Sequence, residues 1–244
     1  MIEVRDLSVS YGTRQGQVTA LEEVSLSVAE GEFVAIVGPS GCGKSTLLFV
    51  LDGLIKPSRG QVRIAGEEVR GIRRDVALIL QDAGLLPWKT VQANAELALK
   101  IQRRKGDVAG VLKQLGLAGF ERRLPGELSE GMRRRVGIAR ALALHPRVLL
   151  MDEPMANLDS LTRVRIQNLI LDLWRDLGFT GVIVTHDIEE AVFLGQRIIV
   201  FSPRPGRVIE TVENPEMGSP DYRDSATFLA RVRHLRQVLT VGAA

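Results

Sequence analysis

The sequence has one cysteine, no long apolar run and little net charge. Cys42 stands alone among 244 residues, so no disulfide can form within the chain, which fits a reducing compartment. The longest apolar runs, such as Val76–Leu80 and Val148–Met151, fall far short of the ~20 residues that a membrane-spanning helix needs. Work at a membrane would therefore go through a partner. The N-terminal stretch MIEVRDLSVSYG alternates apolar and polar residues and lacks the basic leader and apolar core of a signal peptide. The 32 basic and 29 acidic residues leave a charge of +3, too small to demand nucleic acid or lipid, and no nucleic-acid partner is expected. Arg133, Arg134 and Arg135 read as a solvated helix face. No internal repeat or low-complexity linker is present.

At 244 residues the chain is long for one ordinary domain and short for two. It can hide roughly 70–75% of its extended surface. Ile2–Ser10 and Ala20–Val28 alternate like strands. Phe33–Val37 is fully apolar, as suits a strand covered on both faces. A helix is expected from Lys44 to Leu54, with strands at Gln61–Ile64 and Asp75–Leu80. From Thr90 to about Leu144 the pattern is helical, punctuated by Gly106, Gly116, Gly119, Pro125 and Gly126. Then come a strand (Arg147–Met151), a helix (Ser160–Leu177), a strand (Val182–Thr185) and a helix (Ile188–Leu194). Arg197–Phe201 and Arg207–Thr211 suit a hairpin, and Asp221–Leu239 a last amphipathic helix. Alternating strands and helices imply an α/β core with a mainly parallel sheet. The helical middle implies an inserted lobe, and the N-terminal strands a smaller β lobe.

Gly38–Ser45 reads GPSGCGKS, a full match to GxxxxGK[ST]. Gly38, Gly41 and Gly43, with Pro39, Ser40 and Cys42 between them, let the backbone bend around an anion and turn N–H groups inward. The helix opening at Lys44, Ser45 and Thr46 adds its positive end. Lys44 would bind the β and γ phosphates of ATP, and Ser45 would hold Mg²⁺. Val148–Glu153 reads VLLMDE, an apolar strand whose end carries two carboxylates to the sheet edge where α/β folds bind ligands. Asp152 would help hold Mg²⁺, and Glu153 would polarise the attacking water. His186 follows another strand to the same edge and would hydrogen-bond the γ-phosphate. Gln81, at the end of a third, could reach Mg²⁺ or the water. Alone, the acidic turn, His186 and Gln81 are each compatible with a structural role; together at one edge they read as a hydrolytic site.

With these pieces in order, the sequence resembles the ATP-binding subunits of ABC transporters over nearly its whole length. The resemblance implies one ATP-binding domain across residues 1–244, with a RecA-like P-loop core, a small antiparallel β lobe and a helical lobe inserted at about 86–145. Leu128–Met132, LSEGM, looks like the family's signature motif, usually LSGGQ. Asn157–Asp159 looks like its D-loop, Gln81 like its Q-loop and His186 like its switch histidine. Tyr11 stands where the family stacks an aromatic ring on adenine. The implied unit is a head-to-tail homodimer, with ATP held between one copy's phosphate loop and the other's signature. Ser129 would cap the following helix, and its hydroxyl and the Gly131 N–H would face the γ-phosphate in trans. The implied location is peripheral, on the cytoplasmic face of the inner membrane, with a permease docking near Leu85–Trp88 and a solute-binding protein acting indirectly.

Two residues depart from the pattern: Glu130 replaces a glycine and Met132 a glutamine. Met132, QDAGLLPW at Gln81–Trp88 and FSPRPGR at Phe201–Arg207 resemble the nitrate, sulfonate and taurine importer branch. A carboxylate at Glu130 weakens ATP if it points at the phosphate and favours the helix dipole if it points to solvent. Trp88 is either a docking residue or core at a junction, and Phe201–Arg207 reads mainly as a rigid turn. A DNA-repair or chromosome ATPase would carry a long coiled coil between Lys44 and Asp152, where no heptad run is found. A soluble translation factor would carry two cassettes. A regulatory or scaffold protein without turnover, and an exporter, are the remaining alternatives. The sequence does not name the solute.

Overall fold

The computed structural model describes residues 1–13, 16–219 and 221–241. Along the chain run β1 (Ile2–Thr13), β2 (Gly16–Val28), β3 (Phe33–Val37), α1 (Lys44–Leu51), β4 (Arg59–Ile64), β5 (Glu67–Glu68) and β6 (Val76–Ile79). Helices α2 (Val91–Ala95), α3 (Leu97–Gln102), α4 (Val108–Gln114) and α5 (Glu130–Leu142) follow. Then come β7 (Val148–Asp152), α6 (Ser160–Leu177), β8 (Thr180–Thr185), α7 (Ile188–Leu194), β9 (Arg197–Phe201), β10 (Val208–Glu213) and α8 (Ala226–Val241). They form two compact units: residues 1–73 with the segment from Gly178 onward, and Arg74–Leu177.

The first unit holds an antiparallel sheet in the order β2-β1-β4-β5 and a second run of strands β10-β9-β3-β8. β3 is parallel to both β8 and β9, and β10 returns antiparallel to β9. Every residue of β3 and β8 is buried, which is why both read as apolar runs rather than alternations. β1 and β2 extend beyond the expected strands, because Tyr11 with Val18 and Gly12 with Gln17 still pair through the backbone outside the alternating pattern. α1 ends three residues early. Gly53 takes a left-handed turn (φ 79) against the backbone of Gly71, and a helix cannot continue through it.

In the second unit β6 and β7 are parallel, with Val76–Ile79 partnered to Val148–Met151. The helical stretch is broken into α2 to α5. Asp107 caps α4 by accepting from the Gly110 N–H at 2.8 Å. Pro125 opens a short 3-10 turn before α5. The three consecutive arginines are not a solvated face: Arg133 and Arg135 are half-buried and Arg134 is buried. Helical geometry turns successive residues by about 100°, so the middle one points inward. No helix among the described residues is long and apolar enough to cross a membrane.

Candidate active site

In the first unit, β3 and β8 carry two predicted site elements to one edge. Val37 is partnered with Thr185, so the phosphate loop and His186 leave adjacent parallel strands side by side. The loop wraps the Lys44 side chain, which is 5% exposed. Lys44 Nζ donates to the carbonyls of Gly38 at 2.8 Å and Pro39 at 3.0 Å. Gly43, at φ 104, caps α1, and a Cβ there would come within 2.7 Å of the Ala20 carbonyl. Cys42 is buried, and burial pushes its thiol pKa up against the pull of the Lys44 charge. Ser40 and Gly41 are exposed, and Ser45 and Thr46 half-exposed. Tyr11 is exposed, and its hydroxyl donates to Thr46 Oγ1 at 3.1 Å.

His186 is exposed between two residues that fix the backbone around it. Thr185 Oγ1 accepts from the Asp187 N–H at 3.0 Å and donates to the buried Glu190 carboxylate. Asp187 caps α7, its Oδ1 accepting from the N–H groups of Glu189 at 2.9 Å and Glu190 at 3.2 Å. Sequence reasoning passed over Thr185 and Glu190. An Asp followed three residues later by a Glu is a helix-start signal that could have found the second of them.

In the second unit, Ile79 is partnered with Met151, so Gln81 and the Asp152–Glu153 pair also leave adjacent parallel strands. Asp152 is 7% exposed, whereas Glu153 is partly exposed and Gln81 exposed. Glu153 has a left-handed backbone, φ 42, a costly conformation for a non-glycine residue and one that clusters at functional sites.

Ser129 caps α5, its Oγ accepting from the Met132 N–H at 3.3 Å. The hydroxyl hydrogen of this exposed residue is left to donate elsewhere. Glu130 turns back along its own helix. Its carboxylate accepts from Arg133 Nε at 3.1 Å and lies 3.7 Å from Arg134 Nε. Gly131 is buried, and a Cβ on it would meet Thr162 Cγ2 at 2.7 Å. Packing against α6 is thus a second reason for glycine there. Asp159 caps α6, accepting from the Thr162 N–H at 3.0 Å. The Thr162 hydroxyl, then the Thr162 N–H, hold its carboxyl below the usual range.

The segment after Gln81 is held by residues that sequence reasoning missed. Arg140 Nη1 donates to the Gly84 carbonyl at 2.9 Å. Asn94, fully buried, accepts from the Leu86 N–H at 2.8 Å and donates to the carbonyls of Leu86, Lys89 and Thr90 at 3.1, 2.9 and 3.1 Å. Leu85 and Leu86 are half-buried, but Trp88 is 72% exposed. Trp88 is therefore not core.

The ABC transporter family pattern matches residues 21–156. The taurine import ATP-binding protein TauB of Burkholderia pseudomallei (strain 1710b) is 46% identical over 210 residues, covering 84% of this chain and 81% of that protein. TauB of Yersinia pestis bv. Antiqua (strain Antiqua) is 45% identical over 86% of this chain and 83% of its own length. A solved dimeric structure of the ATP-binding cassette MJ0796, in a post-hydrolysis state bound to ADP and Pi, matches with a TM-score of 0.78. Its identity is 35%, over 87% of this chain and 98% of that one. Fold and sequence agree, and the chain belongs to the ABC transporter family.

Proposed function

We propose that this chain is the ATP-hydrolysing subunit of a membrane importer for taurine or a similar small solute, such as another sulfonate or nitrate. The observation that carries the chemistry is the pairing of Val37 with Thr185, which sets the phosphate loop beside His186. The names of the TauB relatives support the importer class and the solute. The chain works as one ATP-binding domain with its helical lobe inserted at about 86–145, and as a homodimer like the MJ0796 cassette. It sits peripherally on the cytoplasmic face of the inner membrane. Permease subunits dock near Leu85–Trp88, and a solute-binding protein acts through them.

ATP is held by the loop Gly38–Thr46, whose N–H groups take the phosphates. Lys44 exchanges the Gly38 and Pro39 carbonyls for phosphate oxygens. Tyr11 stacks on adenine. Glu153 takes a proton from the attacking water, and Gln81 helps to orient it. His186 hydrogen-bonds the γ-phosphate. Ser129 and Gly131 of a second copy grip that phosphate from the opposite side, with Asp159 beside them. Ser45, Asp152 and Gln81 offer only hard oxygen donors, the kind that Mg²⁺ prefers, and would hold it there. The ion would neutralise charge on the β and γ oxygens. Hydrolysis removes the contacts that bridge the two copies, and the dimer loosens.

Glu153→Gln tests the reading. ATP binding should persist while hydrolysis falls by ~10²–10⁴, the usual cost of losing a positioned base. ATP should then trap a dimer on size-exclusion chromatography. Phosphate release close to wild type would overturn the role given to Glu153.

A further inference from the structure

Arg134 lies on the inner face of α5, one turn from the signature residues, with its side chain 3% exposed. Its Nη2 donates to the Ala156 carbonyl at 3.0 Å. Its Nε lies 3.7 Å from Glu130 Oε1, beyond hydrogen-bond reach. Nε and Nη1 make no hydrogen bond among the described residues. Burying a guanidinium so sparsely paired works against stability. Stability alone is a poor reason to keep it.

Its partner is the turn that follows β7. The Ala156 N–H donates to the Glu153 carbonyl at 3.1 Å, closing residues 153–156 into a tight loop. The loop is bounded by two left-handed non-glycine residues, Glu153 (φ 42) and Asn157 (φ 64). Such conformations are strained for a residue with a Cβ and persist only where the surroundings hold them. The guanidinium supplies a charge-assisted hydrogen bond to the peak of this turn. Its other edge faces Glu130 at the first position of the signature helix.

We propose that Arg134 is a positioning residue for hydrolysis. It holds the strained turn that aims the Glu153 carboxylate. The inference rests on the assignment of Glu153 made above. A loosened turn leaves ATP bound and misplaces the base, and a misplacement of about 1 Å can cost ~10²-fold in rate.

The test is steady-state ATPase against ATP concentration, with nucleotide stoichiometry at saturation, for wild type, Arg134→Met and Arg134→Lys. Arg134→Met should lower kcat by about a hundredfold while KM stays within about threefold, with wild-type stoichiometry. Arg134→Lys, which keeps the charge and a donor, should recover most of kcat. If the Met variant does not fold, Arg134→Gln, a shorter neutral side chain, should show the same loss in kcat alone. An unchanged kcat in the Met or Gln variant overturns the proposal. So does a loss of kcat and stoichiometry together that Lys fails to rescue, which marks a purely structural staple. A wild-type chain that binds ATP without hydrolysing it would instead overturn the assignment of Glu153.

Discussion

Gly206 lies against the main chain of the phosphate loop: a Cβ on it would sit 2.1 Å from the Cys42 carbonyl oxygen. It cannot swing away, because its N–H donates to the Ala20 carbonyl at 2.9 Å and its carbonyl accepts from the Glu22 N–H at 3.0 Å. Gly206→Ala should therefore push the loop out of shape. Nucleotide affinity measured by calorimetry should fall by at least about tenfold, equivalent to about 1.4 kcal/mol. Affinity equal to wild type would mean that the loop yields without harm.

That contact marks where the sequence stopped being legible. Phe201–Arg207 reads as a rigid turn, and it does join β9 to β10. Its approach to Cys42 joins residues 164 positions apart in the numbering, and no local pattern encodes such a contact. The edge-forming strands were legible because burial on both faces forces continuous apolar runs, as in FVAIV and VLLMD. Their polar termini then gave Asp152, Glu153 and His186, and the GxxxxGK[ST] spacing gave Lys44. The supporting residues were not legible. Arg134, Asn94 and Glu190 are polar residues on helices, and only the folded chain distinguishes a buried one from a solvated one. The pattern also missed β5, whose two glutamates pair with Arg63 and Ile64 through the backbone.

Glu130→Gly should change ATPase activity by less than about tenfold, because an exposed carboxylate engaged with same-helix arginines contributes little beyond ~1 kcal/mol. Arg133 Nε lies 3.1 Å from it, and Arg134 Nε 3.7 Å. The assay is steady-state hydrolysis at low and moderate salt. A gain of about a hundredfold, largest at low salt where charges are least screened, would show that the carboxylate opposes the phosphate.

Gly131→Ala should destabilise the fold before it affects the nucleotide. The added methyl would meet Thr162 Cγ2 at 2.7 Å, and overpacking of this kind costs about 1–3 kcal/mol. Thr162→Ser removes that methyl and keeps the hydroxyl and the N–H that bond Asp159. Denaturant melts should show the double variant recovering most of the loss. Simple additivity of the two substitutions would rule out this clash as the cause.

Trp88 and Asn94 should separate cleanly. Trp88 is 72% exposed, so Trp88→Ala should leave the melting free energy within about 0.5 kcal/mol and spare basal ATPase, while weakening copurification with the permease. Asn94→Ala removes the side chain bonded to Leu86, Lys89 and Thr90. The Leu86 N–H and the Lys89 carbonyl lose this partner, whereas the Leu86 and Thr90 carbonyls keep backbone donors. A backbone group left unpaired costs ~1–3 kcal/mol, so this variant should melt earlier and lose the permease as well. Loss of stability in Trp88→Ala would return that residue to a packing role.

Asp52 makes stability depend on pH in a direction opposite to the usual carboxylate. It is 8% exposed at the end of α1, and burial raises its pKa from 3.8 to about 6. The folded state therefore prefers the protonated acid. Below the unfolded value the group is neutral in both states and has no effect. As pH rises through 4 to 6 the unfolded chain ionises first, so folding is progressively penalised, and above 6 the penalty is complete. The shift corresponds to about 3 kcal/mol at most. Asp52→Asn mimics the protonated acid without ionising. It should raise stability at pH 8 by up to that amount, and the gain should shrink as pH falls through 6 and vanish below about 4. Chemical denaturation of both proteins at pH 4, 6 and 8 reads the difference directly, since the other ionisable groups are common to both. A gain of equal size at pH 4 and pH 8 would assign the effect to packing rather than to the buried charge.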